Sequence, residues 1–218
     1  MAGRAFPVVL AAPSGTGKTT IARALVRTAR EFVFSVSATT RPPRRGERDT
    51  VDYQFVDRAG FEAMIEAGAL VEWAEVHGHL YGTPRANLEA AAQRGEHVVL
   101  DIDVQGARQI REQEPQAVLV FVFPPSLETL LERLEKRGTE RPEEVARRLR
   151  SARDELERAA DFDYVVVNDD LDEAVSAVRS VVRAEAHRPV RTRELADEVA
   201  RLRDAMGQVL DERYSNIS

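Results

Sequence analysis

Residues 12–20 read APSGTGKTT, a Gly-rich turn ending on Lys18 and Thr19, set between the apolar run VVLAA at 8–12 and the helix-forming stretch IARALVRTA. A strand, loop and helix in that order suit a phosphate guest. Gly15 and Gly17 let the backbone fold tightly and aim successive N–H groups inward, and the positive end of the new helix faces the same concavity. A polyphosphate is the ligand this chemistry fits. Lys and Arg together number 31, yet lysine occurs only at 18 and 136. A compact ammonium follows bridging phosphate oxygens better than a planar guanidinium does, so Lys18 has a chemical reason to be a lysine. Thr19 would place its hydroxyl on Mg2+. The loop departs from the GxxxxGK[ST] spelling only at Ala12, where alanine serves provided its φ is negative.

Further candidates are scattered along the chain. Arg41 and Arg44 in TTRPPR stand three apart in a proline-stiffened segment and could turn both guanidinium groups toward one dianion, with Tyr53 and Tyr81 as hydroxyl donors. The alternative is a solvated basic loop. Glu72 interrupts the apolar strand VEWAEV, where a carboxylate is costly to bury unless a partner awaits it. Guanine is such a partner, because its N1–H and 2-amino group form a two-donor edge that adenine lacks, and Ser37 could donate to O6. Spacing alone equally allows an edge-strand glutamate facing water. Asp101 and Asp103 end the run HVVLDID; two apart on one strand, they share a face and could orient a base, a ribose or hydrated Mg2+, or form a metal-only pair. Arg137, Arg141, Arg147, Arg148 and Arg150 crowd a segment between Gly138 and Pro142 and the helix beyond, which reads as a lid; one or two could stabilise a moving phosphoryl group while the rest pair with Glu140, Glu143 and Glu144. His77 and His79 flank Gly78 in an expected turn without metal-ligand spacing.

These residues need a scaffold. Strand-length apolar runs at 8–12, 97–103, 117–123 and 164–168 alternate with amphipathic helices at 126–137 and 171–186, which predicts a doubly wound parallel α/β sheet with strands buried on both faces. Ligands in such sheets sit beyond the strand C-termini, where both the phosphate loop and the Asp101/Asp103 pair fall. From about 35 to 83 the pattern changes to short alternating pieces, predicting a small mixed or antiparallel inserted sheet. The expected organisation is a core of 1–34 and 84–187 with the lid at about 137–150, an insertion at 35–83 and a helical tail at 188–218. The tail places Leu195, Val199, Leu202, Met206 and Val209 four, three, four and three apart, a stripe that wants either a second copy of the chain or the domain's own surface.

A net charge of −6 over 218 residues argues against a general nucleic-acid or membrane partner. The absence of cysteine removes disulfide, thiolate and Cys-zinc chemistry, and with no signal or membrane-spanning run the expectation is a soluble, cytoplasmic protein.

Taken together, residues 6–187 resemble the guanylate kinases, through APSGTGKTT, FSVSATTRPPRRGE, DYQF, EWAEVHGHLYGTP, VLDIDVQGA, RGTE and DYVVVNDD in the family's order. The resemblance implies a phosphate-loop core, a GMP-binding insertion and a lid, with ATP, GMP and Mg2+ as the small molecules engaged. It implies an ATP site at Ala12, Pro13, Ser14, Gly15, Thr16, Gly17, Lys18, Thr19 and Thr20, joined by Asn168 and Asp169. On the GMP side it implies Ser37 and Glu72 reading guanine near Asp101 and Asp103, Arg41, Arg44, Tyr53 and Tyr81 around the phosphate, and a GMP-site hydroxyl at Thr83, where the family has Ser or Thr. Lys18, Arg44, Arg137 and Arg148 would stabilise the transferring group. Two rivals differ in testable ways: a sugar-phosphate kinase would not need Ser37 and Glu72, and a phosphopeptide-binding scaffold without turnover would not need Lys18, Thr19 and the lid arginines.

Overall fold

Val8, Val9 and Leu10 form an entirely buried central strand, as a β-branched run bounded by the Pro-Ser-Gly turn requires. In this computed structural model, which describes residues 4–76, 78–135, 142–192 and 194–213, that strand is β1 (Val8–Ala11), followed by α1 (Lys18–Thr28) and β2 (Phe32–Phe34). Next come β3 (Ala38–Thr39), β4 (Gln54–Phe55), α2 (Arg58–Glu66), β5 (Leu70–Val76) and β6 (His79–Pro84). The chain then runs through α3 (Arg85–Arg94), β7 (His97–Ile102), α4 (Val104–Gln113), β8 (Val118–Phe123), α5 (Leu127–Glu135) and α6 (Pro142–Leu156). It ends with β9 (Tyr164–Val167), α7 (Leu171–Ala186) and α8 (Leu195–Arg213).

Five strands form one parallel sheet in the order β2-β7-β1-β8-β9, with Leu10 opposite Asp101 on one side and Val120 on the other. The interleaved order and intervening helices make it doubly wound. Two details differ from the sequence expectation. The three-residue β2 is absent from the expected core strands because FSVSATTR reads as one alternating piece, whereas Phe34 pairs in the core sheet and Ala38–Thr39 in the other. At the sheet edge, β9 exposes Val165 and Val167 while burying Val166, so it is covered on one face only.

The second sheet, β4-β3-β6-β5, is mixed: β3 pairs parallel with β4, and antiparallel pairs join β3 to β6 and β5 to β6. Its small core gathers Ala38, Phe61, Leu70 and Leu80, whereas the adjacent Val71 belongs to the main core with Val9, Leu100, Ala107 and Ile110. Strand β5 therefore runs between two cores, and this fixes where Glu72 can point.

Residues 5–182, carrying both sheets, make one compact unit; residue 4 and the chain from 183 onward make a second. Within the second, Arg191 donates to Glu185 at 2.9 Å with both side chains buried. Val199, Leu202, Met206 and Val209 of α8 are exposed. Among the described residues no helix is long and apolar enough to cross a membrane.

Candidate active site

The turn between β1 and α1 folds as its glycines require. Gly15 and Gly17 adopt φ of 91° and 88°, while Ala12 is buried and, among the described non-glycine residues, positive φ occurs only at Thr50. Alanine at position 12 is therefore unstrained. Thr16 is wholly buried and returns both its N–H (3.3 Å) and its hydroxyl (2.9 Å) to the Pro13 carbonyl. The Thr16 carbonyl accepts from Asn168 Nδ2 at 2.6 Å and from Arg133 at 3.1 Å, and Arg133 also donates to the Asn168 carbonyl at 3.2 Å. This bracing leaves no room at Gly17, where a Cβ would lie 2.5 Å from Asn168 Nδ2. Sequence patterning assigns Arg133 to an ordinary amphipathic helix and misses it, because its partners lie 117 and 35 residues away.

Lys18 Nζ donates to the Ile102 carbonyl at 2.7 Å and lies 3.2 Å from Asp101 Oδ1, which leaves part of its three-donor capacity for a phosphate. Thr19 donates its hydroxyl to the other Asp101 oxygen. Ser14 and Thr20 are exposed, and Arg148 of α6, though 8% exposed, reaches Ser14 Oγ at 2.9 Å. Thus one expected lid arginine meets the phosphate loop, while Arg147 and Arg150 are exposed. Arg137, Arg141, Gly138 and Glu140 lie outside the described residues, as does His77. Asn168 is buried in the bracing just described, and Asp169 beside it is exposed.

Asp101 and Asp103 take different partners. Strand β7 ends at Ile102, and Asp103 caps α4 by accepting from the Gly106 N–H at 2.8 Å. Capping satisfies an open helix N–H and fixes this carboxylate at the start of α4. Asp103 acts instead on the charge of Glu72 and of Glu155, a half-buried carboxylate on α6 that also feels Lys18.

On the second sheet, Arg41 is buried and held by Glu47, whose two oxygens accept from it at 2.8 and 2.9 Å. Burial opposes its charge, but bonding to Glu47 and Tyr81 outweighs that cost and raises its affinity for the proton. Its guanidinium carbon also sits 5.3 Å from the centre of the Tyr53 ring. The bond from Arg41 holds Glu47 below the usual carboxylate range, and Glu47 also accepts the Arg44 N–H at 2.7 Å. The two arginines thus share an organiser that residue spacing alone does not reveal, while the Arg44 side chain is exposed. Burial, with the charge of Asp101 next, raises the Tyr53 phenol pKa, and Tyr53 packs edge-on to Tyr81 with ring centroids 6.0 Å apart.

Glu72 is 5% exposed, which excludes a water-facing glutamate. A register shift between Leu70 and Glu72 explains how Leu70, Val71 and Glu72 are all buried in succession, since the extra residue of a β-bulge re-aims the next side chain. Thr83, wholly buried on β6, donates to Glu72 Oε1 at 2.6 Å; at Gly106 of α4 an added Cβ would lie 2.7 Å from Oε2. Desolvation pushes the Glu72 pKa up to about 7, overcoming the Thr83 bond and assisted by Asp103. Ser37 is half-buried on the segment leading into β3.

A phosphate loop at the C-terminal edge of a doubly wound sheet, met by an arginine from a following helix and accompanied by a second sheet holding an arginine-tyrosine cluster and a buried carboxylate, defines a phosphate-loop nucleotide-binding protein built for phosphoryl transfer. The family profile described as guanylate kinase matches residues 4–185. A guanylate kinase of Symbiobacterium thermophilum is 51% identical over 184 residues, covering 84% of this chain and 87% of the relative. One from Thermus thermophilus is 48% identical over 212 residues, covering 97% and 95%. The crystal structure of guanylate kinase from Anaplasma phagocytophilum superposes with a TM-score of 0.73 at 34% identity, covering 91% of this chain and 94% of that one. The chain belongs to the guanylate kinase family.

Proposed function

We propose that the clusters described above divide the work of a guanylate kinase, which moves the γ-phosphoryl group of ATP to GMP and yields ADP and GDP. The ATP polyphosphate lies in loop 12–20, with Asn168 and Asp169 on the approach to its base. Lys18 and Arg148 neutralise charge on the moving group, joined by Arg44 and Arg137; an arginine in that role supplies roughly 10³ to 10⁵ in rate, or about 4 to 7 kcal/mol. Arg41, Arg44, Tyr53 and Tyr81 hold the GMP phosphate, while Ser37 and Glu72, the latter bonded by the Thr83 hydroxyl, read guanine beside Asp103. A phosphate oxygen of GMP bonds to the γ-phosphorus as the bond to the β,γ-bridging oxygen of ATP breaks, so no protein nucleophile is required. The lid around 137–150 closes to exclude water.

The hydroxyl of Thr19 beside the carboxylate of Asp101 is an all-oxygen donor set suited to a hard cation. Mg2+ held there, directly or through water, supplies charge neutralisation on the ATP phosphates. Deoxy-GMP offers the same phosphate and base edge and is a second acceptor on this reading, with purine nucleotide recycling in the cytoplasm as the setting. The exposed stripe on α8 is a surface for self-association; removal of 190–218 should lower the hydrodynamic mass per particle beyond the mass deleted, and an unchanged subunit number overturns that reading.

The observation that carries the acceptor assignment is the buried, Thr83-bonded Glu72 carboxylate. ADP formation measured side by side with GMP, AMP, CMP and UMP tests it. Turnover confined to the guanine nucleotide supports it, and comparable turnover with AMP refutes it.

A further inference from the structure

Glu72 can meet a base edge only if β5 holds its place after the bulge, and β6 does not do this alone. Strand β5 is the edge of its sheet, so the side of Trp73 facing away from β6 offers an N–H and a carbonyl that no strand takes up. The side-chain amide of Gln109 on α4 takes both: the Trp73 N–H donates to Gln109 Oε1 at 3.2 Å, and Gln109 Nε2 donates to the Trp73 carbonyl at 2.8 Å. One side chain thus pairs with β5 as a neighbouring strand would. Gly106 and Gln109 lie three apart on one helix face, so the helix that meets Glu72 Oε2 at Gly106 grips the next residue of β5 at Gln109. Asp103 fixes the start of that helix through the Gly106 N–H.

We propose that Gln109 is a positioning residue for guanine selectivity, locking the register of β5 on α4 so that the Glu72 carboxylate faces the base edge. The inference rests on the reading of Glu72 given under Proposed function. Gln109 touches no substrate; it acts through the Trp73 backbone.

The test uses the full-length enzyme with Gln109→Met, similar in length but without the amide, and Gln109→Glu, which keeps the acceptor and loses the donor. Two neutral hydrogen bonds lost at one strand should raise KM for GMP by about tenfold in Gln109→Met, with at least as large a rise in Gln109→Glu, whose second carboxylate oxygen faces the Trp73 carbonyl in place of the donor. KM for ATP stays unchanged and kcat stays within about twofold, and the preference for GMP over a 6-oxopurine monophosphate lacking the 2-amino group narrows. A role confined to stability would move none of these selectively. In a Glu72→Gln background, Gln109→Met should add less than about a twofold effect, because its route of action is already gone. Equal rises in both KM values, fully multiplicative effects in that cycle, or no change in either variant overturns the inference. If Glu72→Gln itself leaves GMP kinetics intact, the Glu72 reading fails instead.

Discussion

Glu72 imposes a stability cost that the guanine-reading role proposed for it would explain, and Glu72→Gln separates the two. Burial raises its pKa from an ordinary 4.5 to about 7. At about 1.36 kcal/mol per pH unit, that interval gives at most about 3 kcal/mol. The sign follows from proton counting. Between pH 4.5 and about 7 the folded protein retains a proton that the unfolded chain has released, so the contribution lowers stability as pH rises through that window and is absent below it. Glutamine stays neutral throughout and can still accept the Thr83 hydroxyl bond. The stability of Glu72→Gln relative to the parent should therefore grow by up to about 3 kcal/mol between about pH 4.5 and about pH 8. Titrating groups other than Asp103, whose charge acts on Glu72, contribute equally to both proteins and cancel. Urea unfolding at half-unit pH steps measures the difference, and calorimetric titration reads GMP affinity on the same samples. Guanine donors from N1 and the 2-amino group suit a carboxylate, and glutamine replaces one acceptor by a competing donor. GMP affinity should fall by about a hundredfold at about pH 8, in line with loss of charge-assisted bonds. The reasoning is refuted if the two stability curves run parallel from about pH 5 to about pH 8.

Arg148→Ala should lower kcat by roughly 10³ while leaving KM for GMP within a few-fold, as steady-state kinetics would show; a change confined to KM contradicts a role in the transferring group. Gly17→Ala should drive a methyl to 2.5 Å from Asn168 Nδ2 at a φ of 88°, abolishing ATP binding and destabilising the fold by about 1–3 kcal/mol, checked by nucleotide titration and thermal melting. Glu47→Ala should release Arg41 and the Arg44 N–H, raising KM for GMP by about tenfold with KM for ATP unchanged.

Much of this site is legible in the sequence because its parts are local. APSGTGKTT spells its own backbone geometry, and the strand-sized runs around it fix a parallel sheet whose C-terminal edge collects ligands. What escapes the sequence depends on contacts across long separations or on backbone irregularity. Arg133 and Gln109 look like helix-surface polar residues until their partners, 117 and 36 positions away, are in place. The burial of Glu72 rests on a bulge and on α4 packing that no periodicity announces. Asp101 and Asp103 look equivalent at spacing two, yet the strand ends between them and the second becomes a helix cap. Glu47 resembles one more charge in an arginine-rich loop, although both Arg41 and Arg44 are anchored on it.

The most direct measurement is a crystal structure with a bisubstrate analogue, adenosine and guanosine joined through a polyphosphate. The account places the adenosine-side phosphates against the N–H groups of residues 14–19 with Lys18 and Arg148 on the bridging phosphates, and the guanine N1 and 2-amino nitrogens within hydrogen-bond distance of Glu72. Phosphates lying away from that loop, or guanine bound away from Glu72, would contradict it.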